Sequence, residues 1–74
     1  MSKLPAIKPR FAIRALKKAG YKIDHQTGSY VILEKPGHPS IITVPMHNID
    51  LKKGTLKAIL KQAGLSNDDF LNLI

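Results

Sequence analysis

The chain has 74 residues, 43% of them hydrophobic, with two tyrosines, two phenylalanines and no tryptophan, so it is read as one small domain over residues 1–74. It has no cysteine, which excludes disulfides, thiolate metal sites and cysteine nucleophiles and suits a reducing cytoplasm, and no apolar run approaches a membrane span or a signal peptide. Twelve lysines and arginines against five acids give a formal charge of +7, which attracts polyanions such as nucleic acid, an acidic protein or an anionic membrane surface.

Residues 1–8 read as an N-terminal arm, because Pro5 and Pro9 disfavour helix before them. Pro9 suits the first turn of a helix predicted to run to about Ala19, with Ala12, Ala15, Leu16 and Ala19 at i, i+3, i+4 and i+7 and Gly20 ending it. Arg10, Arg14, Lys17 and Lys18 fall largely off that stripe, on a solvated face or a phosphate-tracking surface. A strand over 21–26 follows, with Tyr21, Ile23 and His25 on one face. The Gln-Thr-Gly-Ser-Tyr stretch at 26–30 then bends the chain at Thr27 and Gly28 into a second strand over 29–34.

Lys35-Pro36-Gly37-His38-Pro39 has the residues of a type II turn, and a third strand is predicted over 41–44, closed by Pro45, which has no N–H for the ladder. Met46-His47-Asn48 leads as loop to Asp50, the expected N-cap of a turn that feeds a second helix. That helix passes through Gly54 and Thr55 to Ala63, with Leu56, Ile59, Leu60 and Ala63 on its apolar stripe and Gly64 as its stop. Ser66 as N-cap, Asp68 and Asp69 at the positive helix end, and Leu65 with Phe70 as a staple predict a last short helix to Leu73. The order is α-β-β-β-α-α, an α+β two-layer domain with helices on one face of a three-stranded antiparallel meander. A double-stranded-RNA-binding-domain-like fold has the same α-β-β-β-α order.

Lys52, Lys53, Lys57 and Lys61 bracket the start and one side of the second helix, where lysine point charges coincide with free first-turn amides, a combination suited to phosphate. An ordinary solvated helix face is the competing interpretation of the same residues. His25, His38 and His47 have no HxxxH spacing and no accompanying cysteine or carboxylate pair, so neither a metal nor another cofactor is expected. His38 in its turn and His47 in its loop read as exposed polar residues. Gly28 and Ser29 lack the flanking glycines of a nucleophile elbow.

Five blocks carry a resemblance: Ala-Leu-Lys-Lys-Ala-Gly-Tyr at 15–21, Gln-Thr-Gly-Ser at 26–29, Lys-Pro-Gly-His at 35–38, Thr-Val-Pro at 43–45, and Leu-Lys-Lys-Gly-Thr-Leu-Lys-Ala-Ile-Leu-Lys-Gln-Ala-Gly-Leu at 51–65. Together they resemble the HicA (YcfA-like) toxins of toxin–antitoxin pairs, over about residues 4–70, and the block from 51 is the most specific. The resemblance implies a double-stranded-RNA-binding-domain-like fold and a metal-independent endoribonuclease. Such an enzyme cuts messenger RNA in the cytoplasm, without a membrane partner, and is held inactive by an acidic HicB-type antitoxin. The family's motif is Gly-Ser-His. Gly28 and Ser29 match it, and Tyr30 stands at the position of the catalytic histidine.

That departure bears on activity rather than fold. RNA cleavage needs a base for the 2′-hydroxyl proton; an imidazole titrates near neutrality, whereas a phenol has a pKa of about 10 and serves poorly. A tyrosine can still donate a hydrogen bond or stack on a base, or simply occupy a sheet surface. The expectation is a toxin impaired at position 30, with Gly28, Ser29, Lys52, Lys53, Lys57 and Lys61 contacting RNA. A non-catalytic RNA-binding module using the same lysines is the alternative, and a basic partner for an acidic protein is a third possibility.

Overall fold

The computed structural model describes residues 4–46 and 49–74. Helix α1, Pro9–Lys18, opens on a proline whose fixed φ suits a first turn, and it buries Ala12, Ile13, Ala15 and Leu16. Helix α2, Lys53–Ala63, buries the predicted Leu56, Ile59, Leu60 and Ala63 and ends at Gly64. Helix α3, Asn67–Leu71, begins at the expected N-cap Ser66, which the structure extends to a full capping box: the Ser66 hydroxyl accepts from the Asp69 N–H at 3.0 Å, and the Asp69 carboxylate accepts from the Ser66 N–H at 3.2 Å. It stops two residues short of Leu73, and Phe70 is fully buried.

Strands β1, Lys22–Thr27, β2, Tyr30–Lys35, and β3, His38–Pro45, form an antiparallel sheet in the order β1-β2-β3. Val31, Leu33, Ile42 and Val44 alternate toward a side covered by α1 and α2, which both pack on β3, and all four are buried. The fold is therefore the expected small α+β arrangement, consistent with a double-stranded-RNA-binding-domain-like one. Tyr30, Ile32 and Thr43 belong to the opposite, open side; Tyr30 and Thr43 are exposed and Ile32 half-buried.

The β1–β2 connection is tighter and one residue later than predicted. Thr27 pairs with Tyr30, so Gly28 and Ser29 are the two turn residues. Gly28 has φ +50° and Ser29 has no positive φ, the type II′ pattern that needs glycine first and matches the twist of paired strands. Lys35 likewise pairs with His38 across Pro36 and Gly37, whose φ of 82° fits the predicted type II turn. Pairing begins directly after that turn, so β3 starts at His38 rather than Ile41, and a register shift between Leu33 and Lys35 absorbs the extra residues.

Three further expectations are corrected. Tyr21 precedes β1 and is buried, whereas every residue of β1 is exposed, because the helices pack on β3, at the other edge of the sheet. His25 does not share the face of Ile23: Ile23 pairs with Leu33 but His25 with Ile32, so one extra residue, Asp24, bulges between them and moves His25 to the open side. Asp50 does not cap α2. The N-cap is Lys52, in extended conformation, because the preceding Leu51 is buried and donates its N–H to the Ile7 carbonyl at 2.8 Å, which holds this segment out straight. The same bond docks the N-terminal arm, with Ile7 buried and Leu4 packed on the core.

Candidate functional site

Tyr30 is the first residue of β2 and is held from three directions. Thr27 pairs with it on one side and Pro45 on the other, and the adjoining Ser29 carbonyl accepts from the Met46 N–H at 2.6 Å. Pro45 has no N–H, yet the ladder does not stop at it; Met46 supplies the next donor and ties the end of β3 to the hairpin turn. The backbone at position 30 is thus fixed while the residue stays 50% exposed.

The segment after β3 folds back beside this point and forms a groove of about 590 Å³. Tyr30, Thr43 and Pro45 from the open side of the sheet make one wall; Ile49, Asp50 and Leu51 with Lys52 and Thr55 from the start of α2 make the other. No acidic residue lies in the first turn of α2 and no side chain caps it, so its first amides lack a side-chain acceptor. Lys52 and the uncapped start of α2 therefore line the same groove as Tyr30, with Asp50 on the wall of Lys52.

The sequence-predicted site residues divide into groups. Tyr30 and Lys52 share the groove, and Gly28 and Ser29 form the turn that leads into it. Lys53, Lys57 and Lys61 are exposed along the outer face of α2, away from its buried stripe, and do not line the groove. Sequence reasoning misses Thr43 and Pro45 in one wall and Ile49 and Asp50 in the other. The only sequence signal for them is that 43 and 45 share strand parity, which identifies the face of Tyr30 once the pairing register is known.

A second basic group lies on α1. The Arg10 and Arg14 guanidinium carbons sit 4.9 and 5.7 Å from the centroid of Phe11, itself 38% exposed. The arginines are solvent-facing as expected; their arrangement around an aromatic ring is new.

The histidines differ sharply in setting. His38, expected to be exposed, is half-buried as a brace: its Nδ1 accepts from the Ser40 N–H at 3.3 Å and lies 3.5 Å from the Tyr21 hydroxyl, with the two rings edge to face at 5.9 Å. The Tyr21 hydroxyl donates to the Ala63 carbonyl at 3.4 Å, and burial pushes its pKa above the ordinary 10.0. His25 is exposed on β1, its Nδ1 2.6 Å from Asp24 Oδ2. His47 lies outside the described residues. Among the described residues no three His, Cys, Asp or Glu side chains converge as metal ligands, and no helix is long and apolar enough to cross a membrane.

The model of a family described as the HicA toxin of bacterial toxin–antitoxin matches residues 10–65, from α1 through α2 and into the link to α3. No curated protein matches the chain. The family match spans well over half of the 74 residues, and the chain belongs to the HicA toxin family.

Proposed function

From membership of this toxin family, we propose that the chain has the architecture of a metal-independent endoribonuclease acting on messenger RNA, impaired because Tyr30 occupies the catalytic position. The carrying observation is the groove, in which Tyr30, directly after the Gly28-Ser29 turn, shares walls with Lys52 and the uncapped start of α2. In this mechanism Lys52 and the first-turn amides hold the scissile phosphate, Gly28 and Ser29 let the sugar-phosphate backbone approach closely, and the side chain at position 30 faces the reacting oxygens. A phenol there orients RNA by hydrogen bonding or stacking but is a weak base at neutral pH.

The natural opponent is an acidic antitoxin of the HicB type, working in the cytoplasm. A protein that inserts carboxylates over the groove and the α2 lysines neutralises the positive surface and occludes Tyr30 at once. Its addition should shift the NMR signals of Ser29, Tyr30 and residues 52–61; unperturbed signals there would rule out occlusion.

The deciding experiment is Tyr30→His in purified, folded protein with EDTA present. A positioned general base contributes about a hundred- to ten-thousand-fold in rate, so this variant should cut RNA that much faster than the parent chain and arrest growth on expression. An inert histidine variant that still binds RNA would remove position 30 from the chemistry. It would favour the second reading, a non-catalytic RNA-binding module, which the exposed Lys53, Lys57 and Lys61 face of α2 supports independently.

A further inference from the structure

The bulge in β1 has a chemical result. In a regular strand, neighbouring residues point to opposite faces, so Asp24 and His25 would be kept apart. The inserted residue lets two side chains of β1 oppose one of β2, and here the Asp24 carboxylate reaches the adjacent imidazole at 2.6 Å. A carboxylate only accepts, so His25 Nδ1–H donates to Asp24 Oδ2 and Nε2 is left as the free nitrogen. The histidine side chain is 53% exposed. This is the relation of a base to its orienting carboxylate, presented to solvent on a strand of the sheet.

The placement on the sheet matters equally. His25 pairs with Ile32 and Thr27 with Tyr30, so His25 and Tyr30 stand on the same open face as diagonal neighbours, about 7–8 Å apart at their backbones. His25 does not itself line the groove, but its diagonal neighbour Tyr30 does. Asp24, Lys22 and Glu34 are the other charged groups on this part of the sheet, since Lys22 and Glu34 pair on the same side.

We propose that the Asp24–His25 pair, carried onto the open face by the β1 bulge, supplies the base that position 30 lacks, so that the chain cleaves RNA slowly as it stands. His25 Nε2 takes the 2′-hydroxyl proton while the 2′-oxygen bonds to the adjacent phosphorus. The bond from phosphorus to the 5′-oxygen breaks, its electron pair leaves on that oxygen, and solvent protonates it. The products are a 2′,3′-cyclic phosphate and a free 5′-hydroxyl, and the imidazolium returns its proton to water. No metal or redox partner enters the balance. Asp24 is a positioning residue that fixes the tautomer. The proposal rests on the ribonuclease reading above and assigns it a second catalytic residue.

The test compares the full-length parent chain with His25→Asn, His25→Gln, Asp24→Asn and Tyr30→His on an end-labelled single-stranded RNA in EDTA. The parent should give cyclic-phosphate ends, and both His25 variants, folded by circular dichroism, should lose about a hundredfold or more in rate. Asp24→Asn should lose about ten- to a hundredfold with RNA affinity unchanged, and the ¹⁵N signals of the His25 ring should move from one tautomer to a mixture. A parent no faster than the His25 variants, whether both cleave or neither does, overturns the proposal. If Tyr30→His then cleaves, the ribonuclease reading stands without His25; if it too is inert while binding RNA, both fall.

Discussion

Leu33 and Tyr30 lie three residues apart on one strand and are held by different physics. Leu33 is fully buried beneath the helices, among Val31, Ile42, Val44 and Phe70 in one core. Tyr30 is half exposed, and its position comes from a two-residue turn, two strand partners and the Met46-to-Ser29 hydrogen bond. One side of the sheet is fixed by packing and the other by backbone devices. A side fixed by its backbone tolerates a change of side chain at position 30 without disturbing the core.

The largest effect that would test this contrast is on stability. Leu33→Ala should cost about 2–5 kcal/mol in urea unfolding, as a buried leucine leaves a cavity, whereas Tyr30→Phe should stay within about 0.5 kcal/mol. A comparable loss at Tyr30 would break the comparison. Next, replacing Lys53, Lys57 and Lys61 together by alanine should flatten the salt dependence of RNA binding by about one unit for each phosphate that is no longer neutralised, with little change in unfolding. An unchanged slope would move the phosphate surface to Arg10 and Arg14.

Smaller effects sharpen the same contrast. Gly28→Ala should cost about 1–2 kcal/mol: no atom lies within 4 Å of the added Cβ, so the loss is backbone strain at positive φ. It should weaken RNA binding as well, because the turn positions Tyr30. Ser66→Ala should cost about 1 kcal/mol through removal of the cap and leave RNA binding unchanged. Smallest is a pH effect. Burial raises the Tyr21 pKa above 10.0, so the stability it gives is complete below about pH 10 and is lost as pH rises through the folded-state value. Tyr21→Phe should remove that part of the alkaline decline in stability–pH curves.

The helices are legible in the sequence because their signals are local. Ala12, Ala15 and Leu16, then Leu56, Ile59, Leu60 and Ala63, repeat at helical spacing and are buried, and the Ser66 N-cap followed by Asp68 and Asp69 is read within four residues. The Pro36-Gly37 turn is legible for the same reason. What escapes depends on pairing between distant residues. Alternation puts His25 with Ile23, but one bulged residue reverses that, and no residue type announces a bulge at Asp24. Asp50 has the chemistry of a cap, yet the Leu51-to-Ile7 bond displaces the helix start to Lys53. Position 30 is singled out by family resemblance and Lys52 by its charge beside the helix start. Thr43, Pro45 and Ile49 become visible only when the chain after β3 folds back against the sheet.

The central claim is that the groove on the open side, at the junction of the Gly28-Ser29 turn and the start of α2, is where RNA engages. The most direct measurement is an amide NMR titration of the intact chain with a short single-stranded RNA at moderate salt. The account predicts the largest shifts at Ser29, Tyr30, Thr43, Lys52 and Thr55, with Val31, Leu33 and Ile42 affected least among the sheet residues. Shifts confined to Arg10, Phe11 and Arg14 on α1, with the groove signals unmoved, would contradict it.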